Sequence, residues 1–182
     1  MEATGEPHNV DDYVLMNQWW DGDVVRISST KRGRRFTWLT LTIPYESRVS
    51  RRLERWFVAD VESTLSTTLE SPDGRHRIAI DVSLTNDPTN RELLLLPCVA
   101  GDANCRQRNG SPAAGSAVRG GSTLWLSPDI MRNPGGGAHE LLHNIGLGHQ
   151  PNSTCSIMSY CEGQRLLYQD ALRIIDRYDR RY

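Results

Sequence analysis

The sequence predicts a mixed α/β domain with one sheet and few helices, ordered strand, helix, several strands, helix, loop, helix. Three observations predict it. Residues 35–43, RFTWLTLTI, alternate apolar and polar positions and are rich in β-branched and aromatic side chains. A long apolar series at helical spacing follows directly. Two further stretches of strand character, 76–84 and 93–99, precede the first long glycine-rich loop.

The first strand is expected to stop at Pro44, which has no N–H for a ladder. The helix after it is marked by Val49, Leu53, Trp56, Phe57, Val61, Leu65 and Leu69, about six turns. Ser71-Pro72-Asp73-Gly74 should end it. In 76–84, Ile78, Ile80 and Val82 share one face, and the apolar run 93–99 reads as a buried strand. Residues 101–121 are expected to form one long loop, and 122–126 a further strand. Asn133-Pro134-Gly135-Gly136-Gly137 breaks the chain before a histidine-bearing helix. Leu167, Ala171, Ile174, Ile175 and Tyr178 mark the last helix. Residues 1–30 are polar and irregular and read as an extension or pro-segment, with the domain proper at 31–182.

A chain of 182 residues can bury a core of its own. Its formal net charge of −1 argues against a general nucleic-acid binder, and Lys31, Arg32, Arg34, Arg35, Arg51 and Arg52 read as solvated surface. No apolar run is long enough to span a membrane. Met1 is followed by Glu2, Glu6, Asp11 and Asp12 rather than a basic and then an apolar region, so no secretory leader is legible. A processed form, a fragment or another export route are the readings left open.

Four cysteines fall in two close pairs, Cys98 with Cys105 and Cys155 with Cys161. Three connectivities are possible, and local pairing is the simplest. The spacings are not those of a structural zinc site, and because both pairs sit in loop-like sequence, disulfides are favoured over reduced, partly buried thiols. Disulfides would place the protein outside the cytosol, in an extracellular or periplasmic setting.

Residues 139–149 read HELLHNIGLGH. On a helix, His139 and His143 point the same way, about 6 Å of rise apart, and can share one zinc ion. Glu140 is offset by one residue, so it can reach a water on the metal without ligating it. Leu141, Leu142 and Ile145 would face the core. Gly146 can leave the helix with positive φ, letting the chain return His149 as a third ligand. Three protein ligands leave a fourth position open, the catalytic rather than the structural arrangement. The plainer reading is a helix whose histidines are simply packed or exposed. Three of the five histidines crowd into this segment, which disfavours it.

Nine residues after His149 lies Met158, within Ser156-Ile157-Met158-Ser159-Tyr160. Together the two segments resemble the metzincin clan of zinc endopeptidases. The resemblance implies a metzincin-like catalytic domain: one twisted mixed sheet, about three main helices, and one catalytic zinc ion between a larger N-terminal and a small C-terminal subdomain. Met158 would form the tight turn beneath the zinc, although most methionines are core fillers. Ser-x-Met-x-Tyr is similar to the turn of the astacin and serralysin families, which implies that Tyr160 reaches the metal and then stabilises the oxyanion. Gln150 follows the third histidine where astacins have Glu and serralysins Pro, so the family within the clan is not assigned. Cys155 and Cys161 around the turn match neither family, and no glycine-aspartate calcium repeats are present; a calcium requirement is left open. Trp20-Asp21-Gly22-Asp23-Val24 resembles the astacin propeptide segment whose aspartate caps the zinc, which would make Asp23 a latency ligand. A surface turn built on Asp-Gly is the plainer reading there.

The expectation is therefore an exported zinc endopeptidase acting on extended protein or peptide substrates, with no nucleic-acid partner, and a monomer. The resemblance implies that substrate pairs with a sheet edge, which chain order would place at 122–126. The alternatives are a narrow-specificity protease toxin or effector, a non-catalytic zinc-containing binding module, and hydrolysis of a non-peptide amide. The intact Glu140 disfavours the binding module.

Overall fold

A computed structural model describes residues 24–29, 35–99, 103–105 and 113–179. One curled, mixed seven-stranded sheet carries three helices among these residues. The strands are β1 (Val25–Ser29), β2 (Phe36–Ser47), β3 (Thr67–Glu70), β4 (Arg77–Asn86), β5 (Leu93–Pro97), β6 (Gly115–Ala117) and β7 (Thr123–Leu126). The helices are α1 (Arg51–Leu65), α2 (Gly136–Ile145) and α3 (Tyr168–Asp179).

The sheet order is β3-β4-β2-β5-β7-β6, with β1 also paired to β2. β4, β2, β5 and β7 run parallel, while β3 and β6 close the two edges antiparallel. β2 continues through Pro44 instead of stopping there, because that position needs no donor. β1 pairs with β2 up to Leu41, and Thr42 donates to Val24. β5 begins pairing on the same side at Tyr45. Pro44 falls in the gap between them, and its carbonyl accepts the Glu92 N–H at 2.8 Å.

The long helix is shorter than its apolar series suggests. α1 ends at Leu65, and Leu69 lies on β3, which pairs antiparallel with β4. Ser66 is extended, and its hydroxyl accepts the Val82 N–H at 3.1 Å. Thr67 and Thr68 are β-branched and favour the ladder over another helical turn. β1 lies within the stretch 1–30 expected to be irregular.

The core lies on one face of the sheet. Leu39, Leu41 and Ile43 of β2, Ile78, Ile80 and Val82 of β4, Leu93 and Leu95 of β5, and Leu124 and Leu126 of β7 are buried there. Leu53, Phe57, Val61 and Leu65 of α1 meet them in one continuous cluster with Leu141, Leu142 and Ile145 of α2. Trp38, on the opposite face of β2, is 45% exposed.

The region 101–121, expected as a loop, contains β6. The edge of the sheet beside α2 is therefore β6; strand 122–126 (β7) is an inner strand between β5 and β6. Gly-Ser-Ala has no large side chain to leave a period-two signal, so this edge is silent in the sequence. Both local cysteine pairs are disulfides, Cys98–Cys105 and Cys155–Cys161, which fits an extracellular setting. Among the described residues no helix is long and apolar enough to cross a membrane.

Candidate metal centre

α2 starts where the glycine run allows two unusual approaches. Gly135 has φ +84, open to glycine at little cost. At Gly137 a Cβ would stand 2.9 Å from Asp60 Oδ2 and 3.0 Å from the Phe57 ring, so α1 and α2 meet backbone to side chain. Asp60 uses that closeness. Its two oxygens accept the N–H groups of Gly135 (2.7 Å) and Ala138 (3.2 Å), capping α2 from a neighbouring helix.

One turn apart on α2, His139 and His143 are both buried. Each commits Nδ1 to a backbone carbonyl: His139 donates to Ile157 O at 2.7 Å and His143 to Leu147 O at 2.8 Å. A carbonyl can only accept, so the Nδ1 atoms carry the protons and both Nε2 lone pairs are left to face the site.

The helix ends at Gly146, φ +116. Its N–H bonds to His143 O (2.9 Å) and the Leu147 N–H to Leu142 O (2.9 Å), the Schellman pattern of a left-handed C-cap. This sharp exit brings His149 back over the helix. The three Nε2 atoms then stand 3.1, 3.2 and 3.3 Å from one another. Imidazole–zinc bonds of about 2.0–2.1 Å in a tetrahedral set place their nitrogens roughly 3.3 Å apart. The triad fits a metal ion of that kind, and it is the one group of three such donors among the described residues.

Glu140 is half-buried, and its side-chain stem lies against Gly115 of β6. Asn144 ties the same helix to the β6–β7 turn: its amide nitrogen donates to Gly121 O at 2.9 Å and Thr123 O at 3.1 Å. Gly120 N–H adds a bond to His143 O.

Met158 is fully buried in a tight turn built by Ser156. The Ser156 hydroxyl accepts the Met158 N–H, and its carbonyl accepts both the N–H and the hydroxyl of Ser159. The turn is wired to two of the three histidines. Ile157 O holds His139, and Met158 O accepts the N–H of Gln150, next to His149, at 2.7 Å. Tyr160, 49% exposed, places its phenol oxygen 2.9 Å from His149 Nε2. The Cys155–Cys161 disulfide closes the base of this loop.

Asp170 of α3 secures the turn from below. It is fully buried and accepts the Ser156 hydroxyl at 2.7 Å and the Leu167 N–H at 2.9 Å, with Arg173 at 3.3 Å. Burial pushes its carboxyl pKa up, opposed by those hydrogen bonds and by the Arg173 charge. His143 is shifted the other way. Burial pushes it down to about 4, the Leu147 hydrogen bond opposes this, and the Arg119 charge adds to it.

The structure thus brings together His139, His143, His149 and Tyr160, with Met158 buried in the adjoining turn and Glu140 on the helix of the first two histidines. Asp23 lies outside the described residues. Asp60, Gly115, Asn144 and Asp170 take part in the site's framework without any signal in the sequence reading, because each acts across a contact far along the chain. No family model matches this chain, and a search of curated proteins finds no match to it.

Proposed function

We propose that this protein is an exported zinc-dependent endopeptidase of the metzincin type. The observation that carries the reading is the convergence of three histidine Nε2 atoms within 3.3 Å, two of them fixed in the metal-binding tautomer by backbone carbonyls. His139, His143 and His149 would hold the ion, and an all-imidazole set suits zinc. When bound, zinc acidifies water towards neutrality and polarises a carbonyl.

The chain's own groups supply the rest. Glu140, one residue from the first ligand, takes the proton of the attacking water and delivers it to the departing amine nitrogen. Tyr160 stands with its phenol oxygen 2.9 Å from His149 Nε2 and would leave that contact to donate to the developing oxyanion. Among the described residues β6 is an outermost strand of the sheet, and an extended peptide would pair with its outer side, so that main-chain hydrogen bonds align the scissile bond across the site. Two disulfides suit work outside the cytosol.

The test compares wild type with Glu140→Ala on a proteome-derived peptide library, with metal content measured on both. The reading expects zinc in both proteins and cleavage by wild type alone. Equal cleavage by the variant, or a zinc-loaded wild type that cuts nothing, overturns it.

A further inference from the structure

We infer that Gly115 is a positioning residue for Glu140, kept free of a side chain so that the Glu140 side chain keeps its place between β6 and the histidine-bearing helix. The inference rests on the peptidase reading for its catalytic consequence, but its geometry is independent of it. A Cβ at position 115 would lie 3.0 Å from Glu140 Cγ, 3.5 Å from Glu140 Cδ and 2.8 Å from Ile130 Cδ1.

Conformation does not call for glycine here, because Gly115 is not among the glycines with positive φ. An alanine would fit the backbone and fail only for space. The question is which neighbour yields. β6 cannot retreat: it pairs with β7 from Gly115 to Ala117, and Ala114 O accepts the Ser127 N–H at 2.8 Å. Its far end is tied to α2 by Asn144 and by the Gly120–His143 bond. Nor can α2 move away, since it is capped by Asp60 and carries two of the histidines whose Nδ1 atoms are anchored. Ile130 is 2% exposed and packed in the core. Of the two side chains that a Cβ would crowd, Ile130 is closer but enclosed in the core and Glu140 is the half-exposed one, so a methyl group at 115 presses on the stem of Glu140 and leaves the histidines where they are.

Zinc-loaded Gly115→Ala is compared with wild type in three measurements: zinc affinity by chelator competition, steady-state cleavage of a peptide, and binding of acetohydroxamic acid, whose hydroxyl needs a carboxylate acceptor beside the metal. Expected are unchanged zinc affinity, a kcat lowered roughly tenfold with KM within about twofold, and weaker acetohydroxamate binding. Adding Ile130→Val removes the 2.8 Å contact and leaves the one with Glu140, so both losses should persist in the double variant; full recovery there would assign the effect to Ile130 and overturn the inference. Wild-type kcat and acetohydroxamate affinity in Gly115→Ala overturn the inference, as does a parallel loss of zinc. If wild type cleaves no peptide, the peptidase reading falls, and the acetohydroxamate comparison alone decides the role of Gly115.

Discussion

The guanidinium of Arg177 covers the face of Gly146 on which a side chain would stand: a Cβ there would lie 2.3 Å from both Cζ and Nε of Arg177. Gly146 is therefore required twice, by its φ of +116 and by the arginine packed on it. Arg177 also places a positive charge at the C-terminal end of α2, where helix carbonyls concentrate negative potential. Its neighbour Tyr178 donates to Ile145 O at 2.9 Å, so α3 grips the end of the histidine-bearing helix. Gly146→Ala should lose at least about 2 kcal/mol from backbone strain and the displaced guanidinium, read as a lower midpoint in urea unfolding of the metal-free protein.

His149→Ala leaves His139 and His143 alone on the helix. Zinc affinity should fall by more than the roughly 10–100-fold that loss of an outer hydrogen-bond partner costs. Chelator competition measures it, and full zinc occupancy at wild-type affinity would count against the third ligand.

Tyr160→Phe removes the phenol oxygen 2.9 Å from His149 Nε2 and nothing from the histidine set. On the peptidase reading kcat should drop about 10²-fold, as for loss of one oxyanion donor, with zinc content unchanged. An unaltered kcat would remove Tyr160 from the mechanism.

Asp60→Ala deletes the only side-chain cap of the α2 N-terminus among the described residues and leaves the Gly135 N–H beside a cavity. A loss of about 1–2 kcal/mol in unfolding free energy is expected. Asp60→Asn should recover part of it, because one amide oxygen can still accept.

Acid should destabilise the metal-free protein through His143. In the unfolded chain this imidazole takes up a proton near its ordinary value of 6.5, whereas burial in the fold holds it down to about 4. The unfolded state therefore binds more protons between these two values, so stability is complete above about pH 6.5 and declines as pH falls toward 4. The full window corresponds to about 3 kcal/mol. Urea unfolding of metal-free protein at pH 7.5 and pH 4.5 measures it, and His143→Gln should flatten the difference.

The histidine spacing, the glycine exit and the two cysteine pairs were all legible in the sequence because each is a local device. His139 and His143 share a helix face by periodicity alone, and Gly146 shows φ +116 as a helix-terminating glycine should. The disulfides join residues seven and six apart, where short loops make pairing easy. Apolar alternation likewise located β2 and β4, since burial on one face of a sheet leaves a period of two, and a continuous apolar run located β5. The helix end was less legible: Leu69 keeps the helical spacing of α1 but lies on β3, because hydrogen bonding to β4 outweighs one more turn.

By itself, then, the sequence determined the three imidazoles that converge, the turn that returns the third, and most of the strands that bury the core. Only the tertiary structure decided what holds and borders them. Asp60 reaches α2 across 75 residues, Asn144 reaches the β6–β7 turn across 21 to 26, and Asp170 supports the methionine turn from α3. The edge strand moved from 122–126 to Gly115–Ala117 for the same reason. Periodicity records what a segment buries, whereas a cap, a clamp or a sheet edge is a single contact made when the chain closes on itself. Such a contact leaves one ordinary residue and no pattern along the chain.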